Sequence, residues 1–161
     1  AGTMHEVGYF VGPIDENTPC NPRNPYGIAK NFLRQAMFDF ASVTPELNLQ
    51  WLRFYYITGD DRFSNSIFTK ILKAEDEGQE FFPLNSGEML YDFVDIRELS
   101  EQIEERISSK QSGIFNCCSG KPKSLRTAVE EFIAVHNLKI KPKYNVFPAR
   151  PYDSMAVWGK K

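Results

Sequence analysis

Between Asn24 and Phe147 amphipathic helical stretches alternate with short β-rich runs, and that alternation constrains the fold more than any other feature. Helix and strand in repeated succession argue for an α/β fold. Asn24 is an N-cap with Pro25 at the first helical position, followed by an apolar recurrence through Phe32, Leu33, Ala36, Met37 and Phe40. This helix ends before Thr44-Pro45, because a residue preceding proline avoids helical backbone. Leu49 to Ile57, rich in aromatic and other β-forming residues, reads as a core strand, and Thr58-Gly59-Asp60-Asp61 as a loop. Ser66 to Ala74 is helical, with Ile67, Phe68, Ile71 and Leu72 on one stripe. Phe81 to Leu84 and Met89 to Val94 are strand candidates around the turn Asn85-Ser86-Gly87. Asp95 and Ser124 cap helices whose apolar stripes are Leu99, Ile103, Ile107 and Leu125, Ala128, Val129, Phe132, Ile133. Ile114 to Cys117 and Tyr144 to Phe147 complete the strands.

The first helix also carries chemistry. In Asn24-Pro25-Tyr26-Gly27-Ile28-Ala29-Lys30 a tyrosine and a lysine stand at i and i+4, so their side chains share one helix face. An ammonium beside a phenol favours the phenolate, which makes the phenol usable as a general acid or base. Thr3 offers a hydroxyl that shares a substrate oxygen with Tyr26 if the fold brings the two together. The plainer alternative is an ordinary amphipathic helix on which Tyr26 and Lys30 meet by chance.

Composition bounds the partners. A chain of 161 residues with a formal net charge of −2 shows no electrostatic footprint for nucleic acid or a membrane surface. No apolar run approaches the ~20 residues of a membrane span, and cytoplasm is the default compartment. Three cysteines, Cys20, Cys117 and Cys118, form no closed even set, and two distant histidines, His5 and His136, with no Cys-x-x-Cys leave no structural zinc pattern.

Thr3, Gly8, Asp15-Glu16-Asn17-Thr18-Pro19 and the Tyr26/Lys30 segment, in that order, resemble the active-site half of the extended short-chain dehydrogenase/reductases, the NAD-dependent epimerase/dehydratase family. Later segments match in the family's order. Arg53-Phe54-Tyr55-Tyr56-Ile57-Thr58-Gly59 resembles the strand and turn passing the nicotinamide, and Asp92-Phe93-Val94-Asp95-Ile96 the "RDFVHV" segment. Gly113-Ile114-Phe115-Asn116 with Ser119-Gly120 resembles "GxxNxGSG", and Arg150-Pro151-Tyr152-Asp153 the late "RxGD" element. The resemblance implies the C-terminal part of a Rossmann-like doubly wound sheet plus a small α/β substrate-binding domain. Residues 1–60 would be the remnant of the NAD-binding domain, and 61–161 the substrate-binding domain interleaved with it.

The resemblance implies roles as well. Tyr26 is the acid/base, Lys30 holds the nicotinamide ribose and activates the tyrosine, and Thr3 hydrogen-bonds the reacting oxygen. Tyr55 and Ile57 line the nicotinamide pocket of NAD or NADP. Tyr56 stands where many relatives have an asparagine that touches the sugar nucleotide, while Arg150 and Asp153 match contacts to its nucleotide end. Departures narrow the chemistry. Met4-His5 replaces the Asp-Glu pair of the dehydratases, which disfavours a dehydratase. His5 reads either as a substitute acid/base or as a histidine packing beside the substrate. Tyr91 replaces an arginine that pairs with the diphosphate in relatives, and a phenol is no substitute for a guanidinium fork. The expected substrate is therefore a simpler sugar, or a nucleotide sugar held in an altered pose.

No two glycines are separated by one residue, so the glycine-rich turn that cradles the cofactor pyrophosphate is missing. The expectation is an internal piece of a longer enzyme, lacking on the order of 100 N-terminal residues, since each βαβ unit takes about 30. The intact protein is expected to be a homodimer through the Tyr26 helix. A non-catalytic binding or assembly module derived from the same family is the alternative.

Overall fold

Asn24 Oδ1 accepts the Gly27 amide at 2.8 Å and starts α1 (Pro25–Ser42), the longest element of the computed structural model, which describes residues 1–59, 62–150 and 153–161. The other expected helices form with their caps in place. They are α2 (Ile67–Asp76) capped by Ser66, α3 (Ile96–Ser109) capped by Asp95, and α4 (Leu125–Val135) capped by Ser124. In each case the cap side chain accepts a backbone amide of the first turn, one of the donors that helix geometry leaves without a partner.

The strands depart from the linear reading in an instructive way. Leu49 to Ile57 is divided at Tyr55 into β3 (Gln50–Phe54) and β4 (Tyr56–Thr58). β3 lies between β1 (Gly2–Thr3) and β8 (Gly113–Cys117) in a parallel sheet, whereas β4 pairs with β7 (Phe93–Asp95). Met89 to Val94 is likewise split, at Asp92, into β6 (Leu90–Tyr91) and β7. The two breaks face each other, for the Tyr56 amide donates to the Asp92 carbonyl at 3.1 Å.

Asp92 explains why the chain changes sheets there. Its buried carboxylate accepts the Ser119 amide at 2.7 Å, the Ser119 hydroxyl at 2.6 Å, the Gly120 amide at 3.0 Å and the Gly159 amide at 3.1 Å. Gly159 ends β11 (Ala156–Gly159), which together with β2 (Gly12–Ile14), β6 and β9 (Lys123–Ser124) forms a second sheet in the order β2-β11-β6-β9. β2 and β11 carry no alternating pattern and were not legible in sequence. Tyr144 to Phe147 is not a strand. The strand is β10 (Lys141–Lys143), parallel to β5 (Phe81–Pro83), and Asn145 then turns the chain with a left-handed φ of 62°.

β8, formed by residues 113–117, completes the sheet begun by β1 and β3. The main core gathers Val7, Ile14, Ile71, Met89, Val129 and Ile140, and a smaller cluster holds Val94, Leu99 and Cys117. Both adjacent cysteines are buried free thiols. α1 is the exception to this burial, with Gly27 its one buried residue and Phe32, Leu33 and Phe40 exposed.

Replacing Asp92 by Ala in the intact protein strands several buried donors at once, and should lower the unfolding free energy by about 3 kcal/mol or more. Urea denaturation measures it; a change below about 1 kcal/mol would mean that water substitutes for the carboxylate.

Candidate active site

The site is built on a 3₁₀ turn (Met4–Glu6) that follows β1 directly. Thr3 caps the turn, its Oγ1 accepting the His5 amide at 3.3 Å. α1 packs onto this turn because residue 27 has no side chain. A Cβ there would lie 2.3 Å from the His5 carbonyl oxygen. That close approach sets the Tyr26 ring beside the His5 imidazole, edge to face, with centroids 6.0 Å apart.

β4 and β6 bring the opposite wall. Tyr56 and Tyr91 lie with centroids 4.7 Å apart, and Tyr56 reaches His5 at 6.3 Å. Tyr91 donates its hydroxyl to Met89 Sδ at 3.1 Å. His5, Tyr26, Tyr56, Tyr91, Arg150 and Asp153 line one cavity of about 450 Å³, closed further by Met4, Tyr9, Arg23 and Val157. A neighbouring cavity of about 350 Å³, walled by Phe82, Leu84, Leu125 and Phe147, shares Tyr91, Arg150 and Asp153 with the first. Arg150 thus stands where the two spaces meet.

Burial decides the charges in this cleft. It pushes the Tyr91 phenol up to about 12 and raises Tyr56 as well, with the Arg150 guanidinium opposing both shifts, so these phenols remain hydrogen-bond donors at neutral pH. His5 is held below its ordinary value of 6.5 by burial, partly offset by the Asp153 carboxylate, so its imidazole is neutral.

The remaining sequence candidates lie outside this cavity lining. Thr3 is buried at the base of the turn. Lys30 lies one helical turn beyond Tyr26, its Nζ 5.9 Å from the phenol centroid and donating to the Ala1 carbonyl at 3.0 Å. Tyr55, at the break between β3 and β4, does not line this cavity. It is buried, raised by burial, and donates to Asn116 Oδ1 at 3.1 Å. Ile57 borders a different cavity, of about 480 Å³, with Thr58, Gly59, Ser66, Phe68 and Ile96. Asp60, Asp61, Pro151 and Tyr152 lie outside the described residues.

Sequence reasoning missed Tyr9, Arg23 and Ser154. Arg23 had a signal, a cation adjoining the N-cap of the helix that carries Tyr26. Ser154 had none. Its Oγ accepts the Phe10 amide at 3.2 Å across 144 residues of chain.

The site thus joins a parallel strand ending in a threonine-capped turn to a helix that carries Tyr26 and Lys30. The family model for the NAD dependent epimerase/dehydratase family matches residues 1–118, and the chain belongs to that family. It is 92% identical over 161 residues to dTDP-6-deoxy-L-talose 4-dehydrogenase (NAD(+)) of Aggregatibacter actinomycetemcomitans, covering 100% of this chain and 60% of that relative. Among solved structures, UDP-N-acetylglucosamine 4-epimerase from Methanobrevibacter ruminantium superposes with a TM-score of 0.85 at 22% identity, over 99% of this chain and 52% of that one. UDP-glucose 4-epimerase from Thermus thermophilus, in complex with NAD, gives 0.81 at 17% identity over 99% and 53%. The chain thus spans about 60% of the curated relative and about half of each structure.

Because folding depresses the His5 pKa below 6.5, the unfolded chain binds more protons between that value and the folded one. This contribution to stability is complete above 6.5 and is lost as pH falls through the folded value. The His5 ring resonance in the intact protein should titrate below 6.5, and Asp153→Asn should move the midpoint further down. An ordinary midpoint would show that the imidazole is hydrated.

Proposed function

We propose that the intact protein is an NAD-dependent oxidoreductase that interconverts a hydroxyl and a ketone on a nucleotide-linked sugar, the 4-hydroxyl of a dTDP-6-deoxyhexose being the best-supported substrate. The carrying observation is the convergence of Tyr26, neutral His5, two protonated phenols and Arg150 on one cavity, with Lys30 one turn beyond Tyr26. The name of the 92% identical relative supports the substrate class.

Tyr26 and Lys30 fit the nicotinamide ribose, since the phenol opens into the cavity and the lysine ammonium rests on a backbone carbonyl that ribose hydroxyls can replace. NAD, when bound, would supply the acceptor for a hydride from the carbinol carbon. Tyr26, opening into the cavity with the Lys30 ammonium one helical turn away, is placed to take the hydroxyl proton of the substrate. Thr3 Oγ1 already accepts the His5 amide, which leaves its own proton to donate to the reacting oxygen. Arg150, at the junction of the two cavities, is the cation placed to meet a diphosphate that Tyr91 is unable to pair with. The neighbouring cavity, walled by Phe82, Leu84, Leu125 and Phe147 and with Lys70 and Asn85 in its lining, then suits the nucleoside, and this is the altered pose that the Tyr91 replacement calls for.

The exposed apolar side chains of α1 support a homodimer through that helix. Free thiols and the absence, among the described residues, of any helix long and apolar enough to cross a membrane accord with a cytoplasmic enzyme.

In the intact enzyme, Tyr26→Phe should lower NADH formation from a dTDP-6-deoxyhexose by roughly 10² or more while NAD still binds. Lys30→Met should impair both. Full turnover by Tyr26→Phe would refute the assignment. Light scattering of the same preparation should give twice the chain mass at micromolar concentration, and a monomer would refute the dimer.

A further inference from the structure

Glu6 and Arg53 are both fully buried and joined Oε1 to Nε at 2.5 Å. Both oxygens of the Glu6 carboxylate also accept the Trp51 indole N–H, at 3.1 and 3.0 Å. Arg53 directs further donors to the Asp15 carbonyl at 2.8 Å and the Cys20 sulfur at 3.4 Å. Glu6, Trp51 and Arg53 all lie outside the lining of the active-site cavity.

Stability alone is a poor account of this cluster. Removing two charges from water costs hydration that their attraction only partly offsets, and apolar residues of similar volume commonly hold such a junction as well or better. What the charges add is direction, because each of these hydrogen bonds specifies one geometry. The elements so fixed are those that carry the reacting groups. Glu6 is the last residue of the turn that Thr3 caps and on which His5 sits. The Trp51 indole lies against Gly2, where an added Cβ would be 2.2 Å from Nε1. Arg53 is the register partner of Gly2 in the sheet, and through Asp15 and Cys20 it grips the segment that leads into α1 and Tyr26.

We propose that Glu6 is a positioning residue for the oxidoreductase site: its carboxylate, clamped by Arg53 and Trp51, fixes the turn that holds Thr3 and His5 against Tyr26. This rests on the reading of Thr3 and Tyr26 given above. The catalytic geometry is then set from beneath the site by a group that never touches substrate.

The test uses the intact protein with NAD and a dTDP-6-deoxyhexose. Glu6→Gln removes the charge alone. The triple variant Glu6→Leu, Trp51→Phe, Arg53→Met removes charge and indole donor together, while the Asp15 carbonyl that loses Arg53 keeps the Thr18 amide at 3.3 Å, so the fold is kept where the single substitution fails. Melting temperature, kcat, KM and the NMR titration of the His5 ring are compared with wild type. The triple variant is expected to melt within a few degrees of wild type, to lose on the order of 10²-fold in kcat with KM nearly unchanged, and to show an altered His5 midpoint as the turn loosens. A triple variant that melts normally with kcat within about twofold and an unchanged His5 titration would reduce the cluster to scaffolding and overturn the proposal. So would a kcat loss no larger than the unfolded fraction at the assay temperature. Absence of turnover in wild type would instead strike the oxidoreductase reading, and the His5 titration of the folded triple variant would still decide the positioning role.

Discussion

The joining of the β4-β7 pair to the four-stranded sheet depends on the Asp92 carboxylate being buried where backbone amides converge. Four donors from Ser119, Gly120 and Gly159 meet it, and its own carbonyl receives Tyr56. A carboxylate taken out of water requires that degree of satisfaction. Because the donors belong to segments far apart in the chain, satisfying one group ties together the strand pair β4-β7, the four-stranded sheet and the turn after β8. The strand breaks at Tyr55 and Asp92 are consequences of that junction.

The break at Tyr55 has a functional effect. It re-aims the chain so that Tyr56 faces the cavity while Tyr55 is locked to Asn116 behind it. The split between β6 and β7 places Tyr91 beside Tyr56 at the same time. Burial of the two phenols and of His5 then gives a cleft wall that is neutral yet rich in hydrogen-bonding groups, with Arg23, Arg150 and Asp153 supplying its charges. Such a wall offers hydrogen bonds to a hydroxyl-bearing ligand, with the guanidinium groups of Arg23 and Arg150 as its cations.

α1 combines two demands. Its N-terminal turn must approach the 3₁₀ turn closely enough to bring Tyr26 to His5, which only a glycine at position 27 permits. Beyond that contact the helix presents Ile28, Phe32, Leu33 and Phe40 outward. Apolar exposure on this scale is what a helix shows when other parts of the molecule or a second copy cover it.

Much of the site was legible in the sequence because the signals are local. The N-cap, the proline after it and the four-residue spacing of Tyr26 and Lys30 all act within one helical turn, and the helix caps at Ser66, Asp95 and Ser124 work the same way. Short ordered motifs, from Thr3 to Asp153, gave the family. Tertiary structure alone decided which of Tyr55 and Tyr56 enters the cavity, that β2 and β11 are strands, that Tyr144 to Phe147 is not, and that Ser154 closes the site onto Phe10. The physical reason is common to these cases. A strand only two to four residues long, or a side chain's choice of face, takes its stability from partners a hundred or more residues away, and the pattern of neighbouring residues holds no record of them.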